Sequence, residues 1–414
     1  MKYVKYGLIL ITFAVILSLA CTPSAPQTPP PAPQAQPTMR YTPPPAITAM
    51  PQPITPRPTP PPQAPSGPAA PSQPTWQQKW DTTVKEAQRE KSVLVYAIPG
   101  AAVRTAISEA FKKKYGIEVD FLAGNGAQIA ARIITERDAG VLVADAIMAG
   151  GTTITQVLKK AKIPGSMDDI LILPEVRDSN NWRGGFPYLD SEKTAVAMIG
   201  TKIRYILRNT DMVGENEITS YKDVLDPKWK GKILVADPTV AGAGASFPAI
   251  LAQIYGLEGA KDYLRQLVQQ EPMVTRDWRQ HIEWVAKGKY PIGLAVSPGE
   301  LVPFLRAQAP VATVMVKEGS KVGSVAGALG VPAKAGHPNA SIVFVNWLLS
   351  KEGQEVFVKA FGHPSRRNDV EPIGVESEFL ETPGEKYIFE SEDHYNFQDE
   401  FRSISKEIFA PLLK

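Results

Sequence analysis

Cysteine and histidine are the scarcest reactive residues in this chain: 414 residues hold one cysteine, Cys21, and four histidines, His281, His337, His363 and His394. A lone cysteine forms no internal disulfide and builds no thiolate metal cluster, and no cysteine nucleophile is left for the folded part. The histidines show no His-Glu-x-x-His spacing and no preassembled metal triad, so neither a metal nor another cofactor is expected. Nucleotide loops are lacking as well. Gly124-Asn125-Gly126-Ala127-Gln128-Ile129 and Gly242-Ala243-Gly244-Ala245-Ser246-Phe247 both miss the third glycine of a dinucleotide loop, and there is no Walker loop. Gly244-Ala245-Ser246-Phe247-Pro248 begins like a nucleophile elbow, but Pro248 stands where the closing glycine belongs. No catalytic residue is assigned on these grounds, and the chain is not expected to be an enzyme.

Long apolar runs are also missing. The longest, Gly7 to Ala20, covers fourteen residues, short of the roughly 20 that span a membrane. It follows Lys2 and Lys5 and ends in a small residue before Cys21, which predicts a signal peptide over residues 1–21 and export. Leu17-Ser18-Leu19-Ala20-Cys21 resembles the bacterial lipobox, with Ser18 where that pattern prefers leucine. The resemblance implies lipidation of Cys21 and attachment to the membrane through a lipid anchor, at the periplasmic or outer cell surface. An ordinary cleaved signal with a chance cysteine is the alternative.

From Thr22 to Thr75 proline dominates, with 21 of the 39 prolines in 54 residues. Proline fixes φ and donates no amide hydrogen, so no packed core forms there. The segment reads as a disordered, extended tether reaching up to about 170 Å at ~3.1 Å per residue. No acidic residue occurs before Trp76, and the four basic ones there leave 41 basic against 42 acidic residues afterwards. The folded part is thus nearly neutral, without the basic patch or aromatic interleaving of a nucleic-acid binder. Its 339 residues exceed what one core usually holds, which predicts two lobes.

Hydrophobic periodicity then sets the architecture. An amphipathic helix, Trp76 to Lys91, precedes the continuous apolar run Ser92 to Ile98, a buried strand stopped by Pro99-Gly100. A helix from about Val103 to Tyr115, a strand Ile117 to Leu122, a helix from Ala127 to about Ala139 and a strand Ala144 to Met148 follow. This alternation predicts α/β lobes built on a parallel sheet with helices on both faces. A β-rich stretch from Thr194 to Arg208 leads into a second α/β run: strand Lys232 to Ala236, helices through Gln270, strand Pro291 to Val296, helix Gly299 to Gln308, and strands Val311 to Val316 and Val325 to Val331. A helical segment Asn339 to Phe361 and a closing helix from about Asp399 complete the chain. The expected division is 76–195 with 317–375 as one discontinuous lobe, and 196–316 with 376–414 as the other, so that two crossovers form a hinge.

Several phrases carry a specific likeness. Asp226-Pro227-Lys228-Trp229-Lys230-Gly231-Lys232 before a strand, Tyr115-Gly116-Ile117, and Glu136-Arg137-Asp138-Ala139-Gly140 are three of them. Gly336-His337-Pro338-Asn339-Ala340, Phe344-Val345-Asn346-Trp347-Leu348-Leu349-Ser350-Lys351-Glu352-Gly353-Gln354 and Pro364-Ser365-Arg366-Arg367 are the others. Together they resemble the type 2 periplasmic binding protein superfamily, in its iron(III)-type branch, over about Ser92 to Asp369. The resemblance implies a monomeric extracytoplasmic solute-binding protein that holds a small molecule or ion between two lobes and delivers it to the ABC permease of the inner membrane. The phrases themselves read as folding grammar: His337-Pro338 ends one element so that Asn339 can cap a helix.

Ligands of open α/β sheets sit beyond the carboxyl ends of the strands, where loops meet helix N-termini. That rule selects Pro99, Gly100 and Ala101; Gly124, Asn125, Gly126 and Gln128; and Gly151, Thr152 and Thr153 in the first lobe. In the second it selects Thr239, Gly244, Ser246, Arg276, Trp278, Arg279, Ser297 and Glu300. Backbone N–H groups at helix starts favour an anion, and Arg276 and Arg279 are the expected clamps because a guanidinium grips a carboxylate or phosphate bidentately. Glycine serves turn geometry in such loops with or without a ligand. Iron(III) binders of the resembled branch use an adjacent tyrosine pair after the strand that ends here at Val296. This chain has Ser297-Pro298-Gly299-Glu300 there and no Tyr-Tyr anywhere, which speaks against the hard phenolate site that ferric iron requires. A small organic or phosphorylated anion is therefore expected. A ferric binder with a nonstandard site, a ligand-sensing module of a membrane receptor and a lipid-anchored hydrolase remain alternatives.

Overall fold

The computed structural model describes residues 74–98, 100–240 and 242–413. Expectations for Cys21, Pro99, the export signal and nearly all of the tether lie outside these residues. Thr75 begins the first helix, Trp76–Glu90, with a capping box: its hydroxyl accepts from the Gln78 amide at 3.3 Å while its own amide donates to the Gln78 side chain at 2.9 Å.

The strand Ser92–Ala97 shows why an unbroken apolar run was needed. Val93, Val95 and Ala97 enter a core on one face, and Tyr96 enters a second core on the other. Ala146 and Met148 against Ile147 and Ala149 repeat the alternation in the strand Ala146–Ala149. In spatial order the first sheet is Glu118–Ala123, Ser92–Ala97, Ala146–Ala149, Ala328–Gly330, Val196–Ala197. The first three strands are parallel, as expected, but Ala328–Gly330 runs antiparallel to both of its neighbours. That strand is reached by a chain returning from the other lobe rather than through a βαβ unit, so nothing fixes it parallel.

The second sheet runs Val311–Thr313, Ile206–Asn209, Ile292–Leu294, Ile233–Ala236, Met273–Thr275. It is mixed in the same way, Ile206–Asn209 being antiparallel to both of its neighbours. Its two faces again feed separate cores, Ile233 and Val235 into one and Leu234 into the other. Between the sheets lie the crossovers. The chain goes out through Thr201–Ile203 and comes back through Ser320–Gly323, and these strands pair antiparallel, with Lys321 opposite Ile203 and Gly323 opposite Thr201. Tyr387–Phe389 adds a third, parallel strand. The chain is thus a two-lobed α/β molecule whose hinge is made by two hydrogen-bonded crossovers.

Several elements differ from expectation. Between Gln270 and Pro291, where no element was expected, the chain forms a strand, Met273–Thr275, and the helix Trp278–Ala286, capped by Asp277, which accepts from the Gln280 amide at 2.8 Å. The strand Ser320–Gly323 is short and polar, and Tyr387–Phe389 is only three residues long, so neither announces itself by period. The closing helix begins at Glu392 and runs to Ile408, starting about two turns earlier than expected. Asn339 is no cap. His337 holds that position, Asn339 lies inside the helix Pro338–Leu349, and the Glu90 carboxylate accepts the first free amides, from Asn339 at 3.2 Å and Ala340 at 2.7 Å. His337 itself bonds Asp145 at 2.9 Å.

The closing helix joins the lobes. Tyr395 belongs to a core of the first lobe, while Phe401, and Phe409 just past the helix end, belong to a core of the second. No helix among the described residues is long and apolar enough to cross a membrane.

Candidate functional site

A cavity of about 510 Å³ opens between the lobes. Gly150 to Thr153 line it from the first lobe; Gly242, Ser246, Trp278 and Ser297 from the second; Tyr205, Lys321, His363 and Glu390 from and around the crossovers; and Tyr395, Gln398 and Arg402 from the closing helix. One compartment is therefore walled by every part of the fold that a hinge motion would displace.

Its floor is a buried polar network. The Lys321 ammonium has three N–H bonds, and all three are used: Glu390 accepts at 2.7 Å, His394 Nε2 at 3.0 Å and Ser246 Oγ at 3.1 Å. His394 Nδ1 lies 3.0 Å from the Gln253 carbonyl oxygen, which can only accept, so the proton sits on Nδ1 and Nε2 is free to accept from Lys321. Glu390 also accepts from the Ser324 amide and hydroxyl, at 2.8 and 2.7 Å. Ser246 and Tyr205 share a further hydrogen bond of 2.7 Å.

Burial opposes the charge on both Lys321 and Glu390, yet each charge holds the other in place. The carboxyl is kept at about 2 and the ammonium above the ordinary lysine range. For His394, burial and then the nearby ammonium press its pKa down to about 3. Ser246 thus has a histidine and a lysine within hydrogen-bond reach, the outline of a nucleophile and its base. The Nε2 lone pair, however, is engaged by a protonated lysine, and that lysine has no basic form near neutral pH. Neither partner can take the serine proton, so the network orients hydroxyls and does not activate a nucleophile.

The structure brings together Gly151, Thr152, Thr153, Ser246, Trp278 and Ser297 among the expected site residues. Gly151 is required by close approach, since a Cβ there would lie 1.7 Å from the Tyr395 hydroxyl oxygen. Ser297 begins the helix Pro298–Arg306 without spending its hydroxyl on a cap. The other expected residues lie elsewhere. Gly100 precedes the helix Ala101–Tyr115, which Ala101 opens, and Asn125 and Gln128 are occupied with each other in a capping box at the start of Gly126–Asp138. Gly124 is next to that box, and Gly126 abuts Thr153, so this loop supports the cavity wall from behind. Gly244 packs on the Asp237 carbonyl, where a Cβ would lie at 2.1 Å, and Thr239 bonds the Asp237 carboxylate at 2.7 Å. Arg276 pairs with that carboxylate at 2.8 Å, and Arg279 lies over the Phe304 ring at 5.6 Å. With Glu300 these arginines form a shallow outer depression that meets the cavity only at Trp278.

Sequence reasoning missed Tyr205, Lys321, His363, Glu390, Tyr395, Gln398 and Arg402. All come from the crossovers or the last fifty-odd residues, which the strand-end rule does not cover. The concentration of charge and aromatic rings from Tyr387 onward was the available signal. Among the described residues no group of three or more His, Cys, Asp or Glu could hold a metal ion.

Residues 106–380 match the family described as bacterial extracellular solute-binding protein. An uncharacterized protein of Haemophilus influenzae is 24% identical over 277 residues, 65% of this chain and 76% of its own length. Among solved structures, Trichodesmium FutA in complex with iron and citrate superposes with a TM-score of 0.62 at 21% identity, over 78% of this chain and 99% of that one. The periplasmic binding protein AfuA of Actinobacillus pleuropneumoniae, with fructose-6-phosphate bound, gives 0.56 at 20% identity, over the same shares of the two chains. At such identities these likenesses speak for the two-lobed fold.

Proposed function

The chain belongs to the family of bacterial extracellular solute-binding proteins, and from that premise we propose that it is the lipid-anchored substrate-binding component of an ABC importer, holding a small organic anion in the interlobe cavity. The observation that carries this reading is the cavity of about 510 Å³ that is walled by both lobes, the crossovers and the closing helix. A solute touching all four walls has more contacts when the lobes are closed, so binding shifts the population toward the closed form, which the permease reads. The lobe boundaries expected from sequence belong to this proposal, with the hinge in the paired crossovers.

The chemistry of the wall favours an organic anion over bare iron. Glu390, the carboxylate lining the cavity, is consumed by Lys321 and Ser324, and burial pushes the Tyr205 and Tyr395 phenols up, away from the phenolate form. Trp278 offers an aromatic face, and the hydroxyls of Thr153 and Ser297 offer donors. The blocked Ser246 argues against the hydrolase alternative, so we read the protein as a binder and not an enzyme. Small-angle X-ray scattering of the full-length protein, with and without citrate or fructose 6-phosphate, tests the closure. A smaller radius of gyration on binding is expected, and binding with an unchanged radius would remove the hinge mechanism.

A further inference from the structure

Tyr395, Gln398 and Arg402 of the closing helix line the cavity, and spacings of three and four place them on one helical face. The helix is fixed to both walls. Lys159 pairs with Glu392 at 2.7 Å, Gln156 donates to Asn396 at 3.1 Å and Thr152 to Gln398 at 3.2 Å from the first lobe, while Phe401 sits in the core of the second.

Two strong cations line the cavity, and they differ in what they have left to give. Lys321 has spent every N–H. Arg402 bonds Asp399 through Nη2 at 2.5 Å, but its Nε is buried with no hydrogen-bond partner. The Tyr395 hydroxyl is buried beside Ser324 and Glu390, which are hydrogen-bonded to each other, and it has no partner at proper hydrogen-bond geometry. Two unpaired buried donors on one face of one helix, at the wall of one cavity, call for an acceptor inside it. The Lys321 and Glu390 charges cancel, and Asp399 is shared between Arg402 and Lys160, which lies 3.0 Å from it, so this side of the wall keeps one positive charge in excess.

We propose that the carboxy-terminal helix is part of the binding site, with Arg402 pairing with the negative group of an organic anion and Tyr395 and Gln398 orienting it. The proposal rests on the reading that the cavity holds a solute, and it assigns selectivity for anions to this helix rather than to Arg276 and Arg279 on the outer rim. A guanidinium is suited to this because its N–H groups match the two oxygens of a carboxylate or phosphate.

Isothermal titration of the full-length protein with citrate, fructose 6-phosphate and neutral fructose tests it. The wild type is expected to bind at least one anion and not fructose. Arg402→Gln should weaken that binding about tenfold or more, as loss of a charge-assisted hydrogen bond does, with the melting temperature of the ligand-free protein unchanged. Arg402→Lys should recover part of the affinity. Tyr395→Phe, which deletes one buried oxygen, should weaken it several-fold, and it decides the matter if Arg402→Gln does not fold. Wild-type affinity in both Arg402→Gln and Tyr395→Phe would remove the helix from the site while leaving solute binding intact. Fructose binding as tight as fructose 6-phosphate would overturn the anion selectivity, and a wild type that binds neither anion would overturn this proposal together with the reading beneath it.

Discussion

At Lys321 a buried ammonium holds together three elements that meet at the hinge: the returning crossover, the helix carrying Ser246 and the segment carrying Glu390 and His394. Removing one partner of such a pair leaves an uncompensated charge. Lys321→Met should therefore cost about 3–5 kcal/mol of stability, read by urea denaturation, and much of it should return when Glu390→Gln is added; a loss below about 1 kcal/mol would contradict the pairing. The buried histidines make a second prediction. Burial holds His281 and His363 at about 4, against 6.5 for the free side chain, and holds His394 at about 3. In the unfolded chain all three take up protons as pH falls through 6.5, while the folded form resists until near 4 or below. Their contribution is therefore fully present above about 6.5 and is lost as pH falls toward 4, by about 1.4 kcal/mol per pH unit for each histidine. His281→Leu should flatten that decline in denaturation midpoints measured between pH 7 and 4.5. An unchanged slope would mean that His281 is not held neutral by burial. Sequence alone could not rank these residues: Arg276 looks like a better anion clamp than Arg402 until its Nε is seen to be spent on Asp237, whereas the Nε of Arg402 has no partner.

Among the elements, those buried on both faces were legible and those built from distant pairings were not. Ser92–Ala97 and Ile233–Ala236 announce themselves as unbroken apolar runs because a central strand has no solvent face. The crossover Ser320–Gly323 carries Lys321 and owes its structure to partners well over a hundred residues upstream, so local period says nothing of it. The start of the closing helix was lost for a similar reason. Its first turns are acidic and polar, and they are helical because Lys159, Gln156 and Thr152 meet them from the other lobe. At Gly151 this helix packs tightly on the first lobe through Tyr395. Gly151→Ala would set a methyl on the Tyr395 ring, so it should cost about 1–3 kcal/mol by overpacking and weaken solute binding together with it. Thermal unfolding and titration of the same variant check this, and a variant as stable and as tight as wild type would show that the helix does not bear on Gly151.

For the whole molecule, two lobes, a paired hinge and a strapping helix converge on one compartment, largely apolar with a buried polar floor, in which we propose a small organic anion. The fold and the solute-binding role could be read from the sequence phrases, because folding grammar repeats within a family. The walls that follow strand ends, at Gly151 to Thr153, Ser246, Trp278 and Ser297, could be read too, but those from the crossovers and the closing helix could not, because they are brought in from segments far apart in the chain. The direct measurement is native mass spectrometry with metal analysis of the full-length protein, purified without refolding. The account predicts one organic anion per chain, small enough for about 510 Å³, and no stoichiometric iron of its own. A chain carrying stoichiometric iron and no organic mass would contradict it.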